Sequence, residues 1–153
     1  MEKYFSGSID EFNFLKTGQE LPDFTWLDES GNSFSSLILS GKPVLIILFT
    51  TSCRHCRNNF NYLEQNLFSK NVNLLNVLAF GRDCDHEQVK TYRKDYSTNI
   101  KMIADPNGEI YSKFAEKAVP RNYMFDSEGR MIAFTRGFRP VEIDKLIRTI
   151  FPV

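Results

Sequence analysis

The sequence predicts an α/β protein with a central mixed sheet flanked by helices. Val44–Phe49 is apolar at six consecutive positions, which is typical of a strand covered on both faces. Helix-patterned and strand-patterned segments alternate around this run in the order β-α-β-α-β. Near the C-terminus, two strand-like segments flank the turn Asp126–Gly129 and predict a hairpin, so the sheet also contains antiparallel strands.

The composition fits one folded domain of ordinary size. The chain has 153 residues, of which 42% are hydrophobic and 14% aromatic, and this is enough for a buried core. Residues 1–18 have weak periodicity and are predicted to form an N-terminal lead-in, so the domain is placed at residues 19–153. Nineteen basic residues balance nineteen acidic ones, which argues against binding of nucleic acid or anionic membranes through bulk charge.

The first elements of the domain are predicted to be short and to form a strand or hairpin extension of the sheet. Leu21–Leu27 is expected to be an edge strand, because Pro22 has no N–H to donate to a second neighbour. Asp28–Asn32 is a turn by composition. Phe34–Leu39 is predicted to form a short helix or turn before the buried strand.

A longer helix is predicted from Cys53 to about Lys70, with Thr51 or Ser52 as its N-cap. Its apolar face consists of Cys56, Phe60, Leu63 and Leu67, which recur at helical spacing. The remaining predicted elements are strands at Val72–Phe80, Met102–Ala104, Tyr123–Phe125 and Met131–Phe134, and helices at Asp85–Tyr96, Asn107–Ala115 and Val141–Phe151.

Cys53 and Cys56 form a Cys-x-x-Cys pair directly after the buried strand, at the start of the predicted helix. Unpaired backbone N–H groups and the positive end of the helix dipole stabilise an anion there, so Cys53 is expected to ionise more easily than a free thiol. Cys56 lies nearly one helical turn further on, within reach of Cys53. The pair is therefore predicted to be the catalytic dithiol of a redox site, cycling between dithiol and disulfide.

Arg54 and His55 lie between the two cysteines and are the candidate pKa-tuning residues. A cationic Arg and a His that donates a hydrogen bond or carries charge both favour the thiolate of Cys53. The pKa of Cys53 is therefore expected to lie well below the value of about 8.5 for a free thiol. Stabilising the reduced form makes the disulfide more oxidising, so a relatively oxidising couple is predicted.

Three features together resemble the thioredoxin fold: the dithiol after a strand, Val119-Pro120 before a strand, and the Asp126–Gly129 hairpin. The chain is most similar to the TlpA/ResA-like branch. The marks of that branch are the Gly18–Phe24 opening, the Asp28–Asn32 turn and the segment Gly41-Lys42-Pro43. The resemblance covers roughly residues 18–151 and implies a thiol–disulfide oxidoreductase that needs no organic cofactor and no metal.

The resemblance also implies roles for individual residues. The first cysteine of the pair attacks and the second resolves, which assigns these roles to Cys53 and Cys56, and a cis-proline loop at Pro120 faces them. A cis bond turns the Val119 backbone toward the dithiol, where an extended substrate can pair with it as an added strand. Arg121 would then lie near the opening, so Val119, Pro120 and Arg121 are the predicted substrate-binding residues.

Two departures from the family pattern concern proton handling. Ile47 stands where thioredoxins have a buried carboxylate, and Asn59 stands where the TlpA-like branch often has Glu. The residue after Pro120, commonly a small hydroxyl residue, is Arg121.

The cysteines also allow other roles. A zinc site needs two further ligands besides the dithiol, and only Cys84, His55 and His86 are available, so no metal is predicted. Cys84 is either a third redox thiol or a surface cysteine at a helix start. The second role is favoured, because Asp83 and Asp85 oppose ionisation of the thiol.

Two other functions remain open. A thiol peroxidase is suggested by Thr50 three residues before Cys53, although the proline expected four residues before that Thr is Ile46. The second alternative is a non-enzymatic module that binds a partner or senses redox state. The predicted partners are protein thiols and disulfides and an unidentified redox partner, with the oligomeric state open.

The compartment is also open. The family resemblance implies the periplasm or cell envelope, yet Met1–Glu20 contains no apolar stretch of the kind that a secretory signal needs, and the longest apolar run is too short to span a bilayer. A cytoplasmic location is therefore also considered.

Overall fold

A five-stranded mixed sheet forms the centre of the computed structural model, which describes residues 12–69, 73–96 and 100–151. The strands are β1 (Thr25–Leu27), β2 (Ser33–Ser35), β3 (Val44–Phe49), β4 (Asn76–Arg82), β5 (Lys101–Asp105), β6 (Arg121–Phe125) and β7 (Met131–Arg136). The α-helices are α1 (Arg54–Leu63), α2 (His86–Tyr96) and α3 (Pro140–Arg148).

The strand order in the central sheet is β5-β4-β3-β6-β7. β4 runs parallel to both β3 and β5, whereas β6 runs antiparallel to both β3 and β7. β1 and β2 form a separate antiparallel hairpin. The predicted mixed sheet with an N-terminal hairpin extension is therefore confirmed.

β3 is buried at every position, and its side chains alternate between two cores. Leu45, Ile47 and Phe49 pack in one cluster with side chains of all three α-helices. Val44, Ile46 and Leu48 pack in a second cluster with the N-terminal hairpin and the segment around the 3-10 helix Tyr111–Lys113. Since both faces of the central strand are covered, an unbroken apolar run is the pattern that this position requires.

The predicted helix at Asn107–Ala115 is wrong in extent, because the structure has only the 3-10 helix Tyr111–Lys113 there. The Asp105 carboxylate accepts hydrogen bonds from the backbone N–H groups of Ile110, at 3.1 Å, and Tyr111, at 2.9 Å. These two N–H groups are thereby diverted from the carbonyls that a longer helix would offer them, so the segment turns instead of continuing.

Several other elements begin or end at residues that differ from the predicted bounds. The helix predicted to reach about Lys70 ends as α1 at Leu63 and continues as a π-helical turn at Glu64–Phe68, while residue 70 lies outside the described residues. Within the predicted edge strand, only β1 is extended in a sheet, and it pairs with β2 and not with the central sheet. The strand predicted from Val72 is β4, and residue 72 also lies outside the described residues.

The described part of the predicted lead-in packs against the domain. Asn13 forms a β-bridge with Ala115, and its side-chain oxygen accepts a hydrogen bond of 2.6 Å from the Tyr123 hydroxyl. Leu15 belongs to the second core cluster. The rest of the predicted lead-in, residues 1–11, lies outside the described residues. Within the part of the chain that the structure describes, no helix combines the length and apolarity needed to cross a bilayer.

Candidate active site

Cys53 occupies the N-cap position of α1, directly beyond the end of the central strand. Its backbone is extended, and its sulfur accepts a hydrogen bond of 3.1 Å from the Cys56 N–H. The predicted cap at Thr51 or Ser52 is therefore wrong, because the thiol takes the role that a hydroxyl usually has. A sulfur at this position receives both a backbone N–H and the positive end of the helix dipole.

The two thiols of the pair differ in exposure. Cys53 is half-buried, whereas Cys56 is 0% exposed, and both are free thiols. Burial raises the pKa of the Cys56 thiol far above its ordinary value, the hydrogen bond with Cys53 raises it further, and a backbone hydrogen bond with Thr50 opposes the rise. Cys56 is therefore protonated near neutral pH, and Cys53 is the sulfur that a partner can reach.

Arg54 and His55 are exposed in the first turn of α1. Both lie beside the dithiol in sequence, as predicted, but solvent screens the charge of exposed side chains. Their role in tuning the pKa of Cys53 stays a prediction.

The peptide bond between Val119 and Pro120 is cis and lies opposite the dithiol. The Cys53 thiol donates a long hydrogen bond of 4.0 Å to the Val119 carbonyl oxygen, across 66 residues of chain. The structure thus brings together the dithiol and the loop that the resemblance indicated. Binding of substrate by Val119 and Pro120 stays a prediction.

Arg121 lies elsewhere than expected. Its side chain is 0% exposed and therefore does not line the opening of the site. Its Nε and Nη2 atoms donate to the Lys117 carbonyl at 3.1 and 2.7 Å, and Nε also donates to the Ala118 carbonyl at 3.2 Å. The Tyr111 hydroxyl donates to the same Ala118 carbonyl at 2.7 Å. Arg121 therefore holds the loop before the cis-proline from inside, and the predicted contact with substrate is corrected.

Ala118, in that loop, has a backbone φ of 84°, in the left-handed region that residues with a Cβ rarely adopt. Its carbonyl accepts from both Arg121 and Tyr111. These contacts hold a backbone conformation that alanine does not favour, immediately before the carbonyl that faces Cys53.

A buried polar layer lies below the dithiol and includes Asn59, at the position where the TlpA-like branch often has Glu; Ile47, at the other carboxylate position, packs in the first core cluster. Asn59 and Asn122 are both 0% exposed, and their side-chain amides are hydrogen-bonded to each other. Asn122 also donates to the Thr135 hydroxyl. Asn59 was singled out from the sequence, but Asn122 and Thr135 were missed. The available signal was an asparagine two residues after Pro120, in a strand that is otherwise largely apolar.

Cys84 is buried, so its assignment as a surface cysteine is wrong. Its thiol donates to the Arg82 carbonyl at 3.3 Å and lies 3.8 Å from the Thr51 hydroxyl oxygen. It packs in the same core cluster as Cys56. Within residues 12–69, 73–96 and 100–151, no three His, Cys, Asp or Glu side chains converge as metal ligands would.

The chain is similar in sequence and in structure to known proteins. The chain is 22% identical over 149 residues to the thiol-disulfide oxidoreductase ResA of Bacillus cereus, an alignment that covers 97% of this chain and 86% of that protein. A solution structure of a proposed protein disulfide isomerase from Bacteroides thetaiotaomicron superposes with a TM-score of 0.85 at 24% identity, covering 92% of this chain and 91% of that one.

A secreted disulfide oxidoreductase from Mycobacterium tuberculosis superposes with a TM-score of 0.69 at 20% identity and covers 85% of this chain and 96% of that one. At these identities the superpositions establish the thioredoxin-like fold. That fold, with a capped dithiol facing a cis-proline, defines a thioredoxin-fold thiol–disulfide oxidoreductase. The sequence profile of the AhpC/TSA family matches residues 17–134, and the chain belongs to that family.

Proposed function

We propose that this protein exchanges disulfides with protein thiols, with Cys53 as the attacking thiol and Cys56 as the resolving thiol. The observation that carries the proposal is the asymmetry of the pair: Cys53 is reachable and caps a helix, and Cys56 is sealed beneath it. An exposed thiolate is needed for attack on a bulky partner, whereas the resolving thiol has to reach only its own neighbour.

The reaction consists of two displacements. The Cys53 thiolate attacks one sulfur of a partner disulfide, so a mixed disulfide forms and the other partner sulfur leaves as a thiolate. Cys56 then loses its proton and attacks the Cys53 sulfur, which releases the second partner thiolate. The partner gains two electrons, and the Cys53–Cys56 pair is oxidised to a disulfide. The reverse sequence oxidises a partner dithiol.

The Val119 backbone is the proposed docking point for the partner. The proposal is supported by the position of its carbonyl oxygen, 4.0 Å from the Cys53 sulfur. An extended segment carrying the partner cysteine can hydrogen-bond there as an added strand, which supplies affinity without a requirement for particular side chains. Protein substrates of varied sequence therefore fit this site.

Three assays on the wild-type protein test this function. We expect reduction of insulin disulfides with dithiothreitol as electron donor, together with recovery of activity from scrambled ribonuclease. A thiol peroxidase, the alternative suggested by Thr50, would instead consume hydrogen peroxide with a thiol donor and leave insulin intact. A redox-sensing module would show no turnover in any of the three assays while its dithiol still oxidised, and either result would contradict the proposal.

The couple is proposed to be relatively oxidising. Support comes from the Cys56 N–H that bonds to the Cys53 sulfur and from the position of that sulfur at a helix start, since both stabilise the reduced form. Equilibration with glutathione buffers is expected to give a reduction potential well above the value of about −270 mV for thioredoxin. A value at or below the thioredoxin potential would contradict this assignment.

The variant Arg54→Ala tests whether the Arg54 charge contributes to this reduction potential. An exposed charge contributes up to about 1 kcal/mol, and 30 mV corresponds to about 1.4 kcal/mol for a two-electron couple, so the potential should fall by about 20 mV or less. Arg93→Ala, in the last turn of α2, serves as the control and should leave the potential unchanged.

An extracytoplasmic location is also proposed. It is supported by similarity to the secreted Mycobacterium tuberculosis oxidoreductase, and disulfide exchange with protein clients fits an oxidising compartment. Cell fractionation of the source organism with an antibody to the protein would test it, and recovery only from the cytoplasmic fraction would contradict it.

A further inference from the structure

Two buried asparagines join the helix that carries the dithiol to the strand that follows the cis-proline. Asn59 lies in α1, three residues after Cys56, and Asn122 lies in β6, two residues after Pro120. Asn59 Nδ2 donates to Asn122 Oδ1 at 3.0 Å, and Asn122 Nδ2 donates to Asn59 Oδ1 at 2.9 Å. This reciprocal pair spans 63 residues of chain.

The pair extends to the next strand and is closed to water. Asn122 Nδ2 also donates to the Thr135 hydroxyl oxygen in β7, at 2.9 Å. Asn59 and Asn122 are 0% exposed and Thr135 is 4% exposed. Because water cannot replace a lost partner at this depth, each amide is held in the one orientation that satisfies the other.

The asparagine contact is directional, whereas the neighbouring contacts between α1 and the sheet are apolar. Phe60 and Leu63 of α1 pack against the sheet through apolar contacts, which depend on buried area and tolerate small displacements. Two opposed hydrogen bonds between planar amides depend on distance and angle. The asparagine pair therefore constrains the distance and orientation of α1 relative to β6, in addition to the apolar packing.

We propose that Asn59 and Asn122 are positioning residues that set the Cys53 sulfur against the Val119 carbonyl. α1 carries one half of the site, because Cys53 caps it, and β6 carries the other half, because it begins directly after Pro120. This proposal deepens the proposed function, since it depends on protein substrates pairing with the Val119 backbone.

A selective effect on substrate choice follows. A small disulfide reagent needs only the Cys53 sulfur, whereas a protein substrate needs the sulfur and the Val119 backbone at a fixed separation. Loss of the pair should therefore slow exchange with proteins and leave exchange with small disulfides unchanged. A purely structural role would not separate these two rates.

The test variant is Asn59→Leu/Asn122→Leu/Thr135→Val. It replaces every member of the network with an apolar side chain of similar size, so no polar group is left unpaired and the fold is retained. We expect kcat/KM for insulin reduction to fall at least about tenfold, and the rate with 5,5′-dithiobis(2-nitrobenzoate) to stay within about twofold of wild type. A folded triple variant with wild-type insulin reduction, or with equal losses on both substrates, would overturn the proposal.

Two further variants keep the test decisive. Asn59→Leu alone leaves Asn122 bonded to Thr135. At a temperature where circular dichroism shows that this variant is folded, it should also lose insulin reduction and keep the rate with the small disulfide. Ser36→Ala is the control, because it removes the buried hydrogen bonds that the Ser36 hydroxyl makes with the Phe24 N–H and the Pro22 carbonyl, directly after β2 and away from the dithiol. A selective loss in Ser36→Ala would show that destabilisation alone produces the effect and would overturn the proposal. A wild-type protein that reduced the small disulfide but never insulin would instead contradict the proposed function.

Discussion

Cys53→Ser is expected to reduce disulfide exchange to the rate measured without the protein. Serine keeps the shape of the side chain, but its hydroxyl is not ionised near neutral pH and does not attack a disulfide. Cys56 cannot substitute, because it is 0% exposed and burial raises the pKa of its thiol far above the ordinary range. Insulin reduction and scrambled-ribonuclease refolding measure the loss.

Cys56→Ser is expected to give the complementary result. Cys53 still attacks, but the mixed disulfide is not resolved, so covalent complexes with client proteins accumulate and can be identified by mass spectrometry after non-reducing electrophoresis. Cys84→Ser is the control and should behave as wild type, because the Cys84 thiol is buried and bonds to the Arg82 carbonyl. Capture of the same clients by Cys53→Ser would show that the attacking and resolving roles are reversed.

Arg121→Ala is expected to lower the free energy of unfolding by about 2–4 kcal/mol. The change removes two buried methylene groups, at about 0.8 kcal/mol each, and leaves a cavity where the rest of the side chain lay. It also removes charged donors from the Lys117 and Ala118 carbonyls. Relief of the buried charge opposes these losses, which keeps the expected value below the simple sum.

Urea denaturation of two further variants separates these contributions. Arg121→Met restores most of the apolar volume without the donors, so it should recover part of the stability. Insulin reduction should be slower than in wild type for both Arg121 variants, because the loop before Pro120 is no longer held. Arg130→Ala is the control, since Arg130 is exposed and its 3.9 Å ion pair with Glu20 should contribute less than about 1 kcal/mol. Equal stability of Arg121→Ala and wild type would show that the buried arginine does not support this loop.

The dithiol illustrates how far sequence reasoning reached into the site. The order strand, cysteine pair, helix was predictable because the apolar run, the pair and the helical face are all local patterns. The capping role of Cys53 was not, because Thr51 and Ser52 are better caps by residue type. The choice among them depends on where β3 ends and α1 begins, which packing of both elements in the core determines.

Arg121 shows a second limit of prediction from the sequence, which concerns burial of a charged side chain. Charged residues are rarely fully buried, so a surface position near the opening was the natural expectation. In the structure, the Lys117 and Ala118 carbonyls accept hydrogen bonds from its Nε and Nη2 atoms and replace part of the water that it loses, while the buried Nη1 has no hydrogen-bond partner among the described residues. The positions of backbone carbonyls in a folded loop have no signature in the sequence. Burial of the Arg121 charge could therefore be recognised only from the tertiary structure.

The amino-acid sequence by itself determined the class of sheet, the central buried strand and the pair of cysteines at a helix start, because hydrophobic periodicity and short spacings act within a few residues. Which atoms contact the pair was decided by the tertiary structure, since the family resemblance indicated only the loop at Pro120. The Cys53–Val119 and Asn59–Asn122 contacts join positions 66 and 63 residues apart. Such contacts arise from how β6 packs beside β3 and α1, and no local pattern specifies the orientation of a side chain across that distance.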